Sequence, residues 1–267
     1  MPLRAAIELL GGAALRFVRY VGGINLLAYD SFRAAIVGPF RGRPVHARDL
    51  WSQMVRVGPS SLFVVFEVNF FIGMILALIG GNILSSIAVG FVDYVGNLMS
   101  VGIVLELGPL LTAIIMTGYI GAALAAELAT MVVTEEVTAL RTTGLDPVRI
   151  LVAPRLIATV LMVPCVTVLG DLVGIVGGQL VASHVLDVPT HTYWERVWDQ
   201  LGTDDVWHGL QKSLVFGTII GSIGCYQGFQ VKGGAEGVGR TTTQAVVASI
   251  LLIIVADAIL NYWLLFG

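Results

Sequence analysis

Charged residues are scarce in this sequence. Only 12% of its 267 residues are Asp, Glu, Lys or Arg, whereas an ordinary soluble domain has roughly 25%. Hydrophobic residues make up 56% of the chain, and the mean hydropathy is +0.87. Because a water-soluble fold has too little polar surface to cover so many apolar side chains, the composition excludes a soluble protein and predicts an integral membrane protein.

Sequence motifs for catalysis and nucleotide binding are absent. The chain contains no Walker A, HExxH or GxSxG pattern. Its four histidines lie outside the long apolar stretches and show no metal-ligand spacing: His46, His184, His191 and His208. We therefore predict that the chain is not an enzyme and holds no metal ion, and that any energy from ATP must come through a partner.

Cysteine is also rare. Cys165 and Cys225 both lie in apolar stretches and have no CxxC spacing. This pattern favours two small packing residues over a disulfide or a metal pair. Glycine, in contrast, is abundant, with 32 residues. Its recurrence within the apolar stretches, as at Gly73 and Gly174, indicates close packing of helices in lipid.

Five apolar stretches are long enough to cross a bilayer, which requires about 20 residues per helix. They span residues 57–84, 98–126, 151–185, 210–227 and 245–266. Residues 3–37 carry spaced arginines among apolar residues, which is typical of a helix lying in the membrane interface and not of a cleaved signal. We expect this helix to end at Gly38, Pro39 and Pro44.

The predicted fold class is therefore an all-α integral membrane protein, with an N-terminal interfacial helix and five transmembrane helices. Residues 1–48 form the interfacial helix and elbow, and residues 49–267 form the membrane domain. Thirteen of the 15 basic residues precede the first span or lie between spans two and three or four and five; Arg196 and Lys212 are assigned to the other side. Because basic loops stay in the cytoplasm, the N-terminus is predicted to be cytoplasmic and the C-terminus outside.

The outer loop over residues 184–208 is acidic and rich in tryptophan. This composition is typical of an aromatic belt at the headgroups. A docking surface for a partner outside the membrane is the alternative interpretation.

All five ionisable residues expected inside the spans are acidic: Glu67, Glu106, Glu127, Asp171 and Asp257. Each costs roughly 2.5–3.5 kcal/mol to insert and needs a partner or a function. Since no basic residue is expected in the middle of a span to pair with them, two interpretations stay open. The carboxyls could form a proton or cation path, as in a secondary transporter, or they could be protonated or hydrogen-bonded structural groups.

The segment between spans two and three predicts a short cytoplasmic helix. Thr134 is the expected N-cap, Glu135 and Glu136 are acidic residues of the first turn, and Gly144 is the stop. Such a helix is either a plain connection or the contact through which a soluble motor moves a membrane subunit. Its candidate functional residues are Thr134, Glu135, Glu136, Ala139, Leu140, Gly144 and Asp146.

Several blocks of sequence resemble the MlaE (YrbE) family, the permease subunits of ABC systems that work with MCE-domain proteins to move phospholipids or other lipids between membranes. The blocks run from the first span to the last, and they are Phe71-Ile72-Gly73-Met74, Glu106-Leu107-Gly108-Pro109, Ala126-Glu127-Leu128, Thr134-Glu135-Glu136, Asp146-Pro147, Pro154-Arg155, Asp171 with Gly177-Gly178, and Gly237-Val238-Gly239-Arg240-Thr241-Thr242 with Asp257.

The resemblance implies a lipid-transporting permease of the bacterial inner membrane that needs no cofactor of its own. Its partners would be an ABC-type ATPase dimer that holds ATP and Mg, an MCE-domain assembly on the outer side, membrane lipids, and a second copy or a paralogous permease; nucleic acid is not expected. Residues 134–143 would be the coupling helix on the ATPase. The substrate cavity is assigned to Asn69, Ile72, Leu76, Leu84 and Glu106, with Glu127, Asp171 and Asp257 as further structural or functional carboxylates.

Two departures from the family pattern concern the substrate. Many relatives carry an arginine before Glu-Leu-Gly-Pro and a Gly-Arg pair further on, where this chain has Leu105 and Tyr119-Ile120. We expect either a less anionic lipid or an unpaired, protonated Glu106. A proton-coupled secondary transporter of a hydrophobic substrate is the alternative function.

Overall fold

The computed structural model describes residues 2–37, 46–88 and 90–266, and these residues form helices without any strand. The α-helices are α1 Pro2–Val37, α2 Ala47–Val57, α3 Pro59–Ile87, α4 Val95–Val101, α5 Gly108–Met116, α6 Ala122–Val133, α7 Glu136–Thr142, α8 Ala153–His184, α9 Thr190–Gln200, α10 Thr203–Phe229 and α11 Gly234–Phe266. The predicted break at Gly38, Pro39 and Pro44 lies outside the described residues.

Four continuous helical segments of the described chain are long and apolar enough to cross a membrane: Ala47–Ile87, Phe91–Val133, Val148–His184 and Gly234–Leu264. They confirm the all-α membrane class. The remaining predicted span lies in α10, which has 27 residues and a length of about 40 Å. This helix is less apolar than the other four because it begins with acidic residues, and it packs against α6, α8 and α11.

Three π-helical segments interrupt the α-helical pattern at Gly102–Leu107, Thr117–Gly121 and Val148–Val152. Pro109 and Pro154 each follow the end of one of these segments by two residues. Proline lacks the N–H of an ordinary turn and crowds the carbonyl four residues earlier, so the helix widens before it. The second span is therefore a chain of α4, α5 and α6 joined by two such segments.

Helices α3 and α8 form the closest contact between two spans. Gly73 on α3 lies directly against the Gly174 carbonyl, and Gly177 on α8 lies against the Phe70 carbonyl. A Cβ at either glycine would overlap these backbone atoms. The predicted close packing at glycines is confirmed for this pair, since small residues let two backbones approach in lipid.

Helix α9 packs mainly against α4 and also contacts α8. Tyr193 is fully buried, and its hydroxyl donates a hydrogen bond to the Ile175 carbonyl at 2.9 Å. Burial raises the pKa of Tyr193 above its ordinary value, so the hydroxyl remains a donor. Trp194 and Trp198 stack with their ring centroids 6.2 Å apart. Residues 190–200 of the predicted outer loop thus form an amphipathic helix that packs against α4 and α8.

Candidate functional site

Lys212 on α10 lies inside the helix bundle and is only 1% exposed. The expectation that no basic residue lies mid-span to pair with the carboxylates is therefore wrong. The error arises at the start of α10, which begins at Thr203 and not near Leu210. Lys212 is consequently in the third turn of a long helix.

Lys212 is the centre of a polar cluster that we define as Glu106, Lys212, Asp257 and Asn261. The Lys212 Nζ donates to Glu106 Oε2 at 2.5 Å and to Asn261 Oδ1 at 2.6 Å, and it lies 3.2 Å from Asp257 Oδ1. The Asn261 Nδ2 donates to Glu106 Oε1 at 3.0 Å and to Asp257 Oδ2 at 3.3 Å. The cluster thus joins α10, α11 and the π-helical segment before α5.

A backbone carbonyl completes the surroundings of the ammonium group. Lys212 Nζ also donates to the Leu105 carbonyl at 2.9 Å. In a regular α-helix this carbonyl would accept the N–H of residue 109, but Pro109 has no N–H. The Gly-Pro sequence after Glu106 therefore leaves an acceptor free, and Lys212 occupies it.

The polar cluster contains two carboxylates for one ammonium. The prediction that Glu106 lacks a cationic partner is wrong, because both Glu106 and Asp257 face Lys212. Glu106 is the open member, with 38% of its side chain exposed, against 2% for Lys212 and 9% for Asp257. The cluster holds a fixed charge inside an apolar bundle, and Glu106 can accept a hydrogen bond from a polar group outside it.

A second group of charges, the arginine clamp, consists of Arg56, Glu127 and Arg155. Glu127 on α6 forms ion pairs with Arg56 on α2 and with Arg155 on α8. The Arg155 Nη2 lies 3.5 Å from Glu127 Oε2, and its Nη1 donates to the Leu151 carbonyl at 2.7 Å. The expectation that Glu127 has no basic partner is also wrong, and the clamp fixes three helices close to α7.

The predicted cytoplasmic helix is present as α7, although it is shorter than expected. Thr134 is not its N-cap; the Thr134 hydroxyl donates to the Thr130 carbonyl and to Glu136 Oε1, both at 3.0 Å. Glu135 precedes α7 with a φ of 62° and provides no side-chain cap. The helix begins at Glu136 because Thr134 still belongs to the last turn of α6.

The predicted glycine stop is confirmed. Gly144 has a φ of 75°, and its N–H donates to the Arg141 carbonyl while the Leu145 N–H donates to the Leu140 carbonyl. This pair of bonds is a Schellman motif, which needs the left-handed conformation that glycine adopts without strain. Asp146 then accepts the Val148 N–H at 3.0 Å.

Most of the predicted coupling residues are exposed: Thr134, Glu135, Glu136, Ala139, Gly144 and Asp146. Leu140 is half-buried, and Val137 is the buried residue that attaches α7 to the bundle. The segment therefore presents a polar surface beyond the ends of α6 and α8.

The residues assigned to a substrate cavity occupy different environments. Asn69 is buried between α3 and α8, and its Nδ2 donates to the Val65 carbonyl at 2.9 Å. Leu76 and Leu84 are half-buried against a group of buried apolar side chains that includes Met99 and Tyr193. Ile72 is also half-buried. Their role in a cavity stays a prediction.

The other predicted carboxylates also differ from one another. Asp257 belongs to the polar cluster, and Glu67 is exposed on α3. Asp171 is buried on α8 at the wall of a small cavity. Within the described ranges, no group of three His, Cys, Asp or Glu side chains is placed to hold a metal ion.

The sequence of this chain is similar to that of permeases from one protein family. The family model described as Permease MlaE matches residues 50–263. A probable ABC transporter permease protein of Rickettsia prowazekii is 37% identical over 254 residues, which cover 95% of each chain. A probable ABC transporter permease protein of Synechocystis is 38% identical over 227 residues and 83% of each chain. Protein TRIGALACTOSYLDIACYLGLYCEROL 1, chloroplastic, of Arabidopsis thaliana is 35% identical over 217 residues, covering 81% of this chain and 61% of that protein.

Proposed function

Because this chain belongs to the MlaE permease family, we propose that it moves phospholipid or a related lipid between membranes. As an ABC transporter permease it works with a separate ATPase. In our proposal two permease copies, or this chain and a paralogue, enclose the lipid in the inner membrane, and an MCE-domain assembly on the outer side exchanges it. The lipid part of the proposal is supported by the Arabidopsis relative, whose name contains that of a glycerolipid.

The observation that carries the proposal is α7. It is an exposed polar helix between two spanning segments, and its end is fixed by the Schellman motif at Gly144. The arginine clamp connects α6, which leads into α7, with α2 and α8. A push on α7 by an ATPase would therefore be transmitted to three helices, and movement of packed elements is how such systems switch between states.

The polar cluster supports a substrate that is not strongly anionic. One ammonium is shared by two carboxylates, and the exposed member of the cluster is Glu106. An anionic headgroup would be repelled by Glu106, whereas a hydroxyl or amine could donate to it. We infer that Glu106 faces the lipid cavity and that the preferred lipid has a neutral or zwitterionic headgroup.

The same pairing disfavours the alternative of a proton-coupled secondary transporter. Proton carriers must release and bind protons during turnover, but Glu106 and Asp257 are both held by Lys212 and Asn261. A fixed ion pair is better suited to shaping a cavity than to carrying protons.

The first prediction tests α7 as the ATPase contact. We expect Glu135→Arg with Glu136→Arg to abolish co-purification of the ATPase, because two exposed carboxylates are replaced by cations. The permease itself should fold, since neither side chain is buried. The measurement is the amount of ATPase recovered with tagged permease from membranes that contain both proteins.

The matched control is Glu195→Arg with Asp199→Arg on α9, where two exposed carboxylates are reversed at the other end of the bundle. This variant should retain the ATPase. Normal recovery of the ATPase with the α7 variant would reject α7 as the coupling helix.

A further inference from the structure

We propose that a cavity between α8, α9 and the start of α10 binds a membrane-dissolved amphiphile with a neutral hydroxyl group, which donates a hydrogen bond to Asp171. The cavity has a volume of about 190 Å³ and shares no residue with the polar cluster. The inference is therefore independent of the transport function proposed above.

Asp171 is a buried carboxyl without a partner. It is 7% exposed and lines the cavity, and its Oδ1 has no hydrogen-bond partner within the described part of the chain. Its Oδ1 rests against Gly108, in the place that a Cβ at that glycine would take. Glu106, Glu127 and Asp257 all have partners. An unpaired buried polar group costs free energy, which a donor in the cavity would recover.

The rest of the cavity specifies the ligand. Thr167 also lines it, but its hydroxyl already donates to the Val163 carbonyl at 2.9 Å. The remaining walls are almost entirely apolar and include the stacked rings of Trp194 and Trp198. A hydroxyl has a single hydrogen to donate and is satisfied by one carboxyl, whereas an ammonium has three. The site therefore fits an alcohol on an apolar body better than an amine.

Size and access define the ligand further. An apolar cavity of about 150 Å³ holds benzene, so about 190 Å³ accommodates one ring or a short chain with its hydroxyl. Val168 and Leu172 line the cavity and are also exposed on the spanning helix α8. Trp198 on α9 is 62% exposed at the other side of the cavity. The opening thus faces the membrane near its interface, where the hydroxyl groups of amphiphiles lie.

The test uses two photoreactive probes that differ by one hydroxymethyl group. They are 4-(trifluoromethyldiazirinyl)benzyl alcohol and the corresponding phenyl diazirine without the hydroxymethyl group. Purified full-length protein is irradiated with each probe in micelles, and adducts are located by mass spectrometry. We expect the alcohol to label Trp194, Trp198 and Leu172 about three- to tenfold more than the hydroxyl-free probe, the ratio that one hydrogen bond supplies.

Three variants identify the acceptor. Asp171→Leu removes the carboxyl at similar size and should abolish the preference for the alcohol. Asp171→Asn keeps a carbonyl acceptor and should retain part of it. Thr167→Val is the matched control that removes the other polar group of the cavity and should leave the preference unchanged.

Two results would overturn the proposal. One is equal labelling of the cavity by both probes in the unchanged protein. The other is adduct formation at Val176 and Leu180, which are exposed further along α8, to the same extent as at the cavity residues. Both results are measured on the unchanged protein, so neither depends on whether Asp171→Leu folds. Size-exclusion elution of Asp171→Asn and of the unchanged protein provides the folding control.

Discussion

At the scale of single residues, Lys212 holds the polar cluster together. A lysine that is 1% exposed and touches two carboxylates, an amide and a carbonyl could not be removed without leaving charges unpaired. Breaking a buried ion pair by removing one partner costs more than the pair contributes, since the remaining charge stays buried.

We therefore predict that Lys212→Met lowers the free energy of unfolding by about 3–5 kcal/mol. The measurement is thermal unfolding of the purified permease in detergent. Lys232→Met is the control, because Lys232 is exposed and that change should have almost no effect. Adding Glu106→Gln and Asp257→Asn to Lys212→Met should restore much of the loss, since both unpaired carboxylates are then neutral. An Lys212→Met variant as stable as the unchanged protein would contradict the polar cluster.

The arginine clamp gives a second prediction, in which two partners of one carboxylate are compared. Glu127→Ala leaves Arg155, with 8% of its side chain exposed, without a charge partner and should destabilise by about 3–5 kcal/mol. Arg56→Ala removes a side chain that is 52% exposed and should cost at most about 1 kcal/mol. Unfolding midpoints of the two variants in the same detergent check this order. Equal losses would show that Arg155 does not depend on Glu127.

At the scale of elements, the contact of α3 with α8 sets the strongest packing constraint. Gly73→Ala would place a methyl group against the Gly174 carbonyl, and both backbones would have to move apart. We expect a loss of about 1–3 kcal/mol. Gly239→Ala on α11 is the matched control, since a Cβ there meets nothing, and it should be neutral or stabilising by up to about 1 kcal/mol. Thermal unfolding separates the two, and a neutral Gly73→Ala would contradict the close approach.

The sequence predicts the spans well where they are uniformly apolar. It predicts α10 poorly, because this helix begins with Thr203, Asp204 and Asp205 and these polar residues resemble a loop. They are in fact start signals, and the Asp205 carboxylate accepts the Gly202 N–H at 2.9 Å. With a helix start at Thr203, Lys212 lies within the span and is available as a cationic partner for Glu106.

The π-helical segments show a different limit. Pro109 and Pro154 indicate that a helix is disturbed, but proline alone does not decide between a kink, a break and a widened turn. The consequence that matters for the site, a free Leu105 carbonyl, depends on Lys212 being within reach. That proximity joins residues 107 positions apart in sequence, and hydrophobic periodicity contains no information about it.

At the scale of the whole molecule, the two groups of charges lie at different places in the helix bundle. The polar cluster joins α10 and α11 to the segment before α5, while the arginine clamp joins α2, α6 and α8 next to α7. We expect the clamp to receive motion from the ATPase and the cluster to shape the lipid cavity.

The proposed function is tested directly by measuring lipid transfer by the complete complex of permease, ATPase and MCE-domain partner. The complex is reconstituted in sealed vesicles, and movement of a fluorescent phospholipid to acceptor membranes is followed. We expect transfer that requires ATP, stops when the Walker A lysine of the ATPase is replaced, and does not respond to an imposed pH gradient. Transfer that follows the pH gradient without ATP would contradict the proposed function.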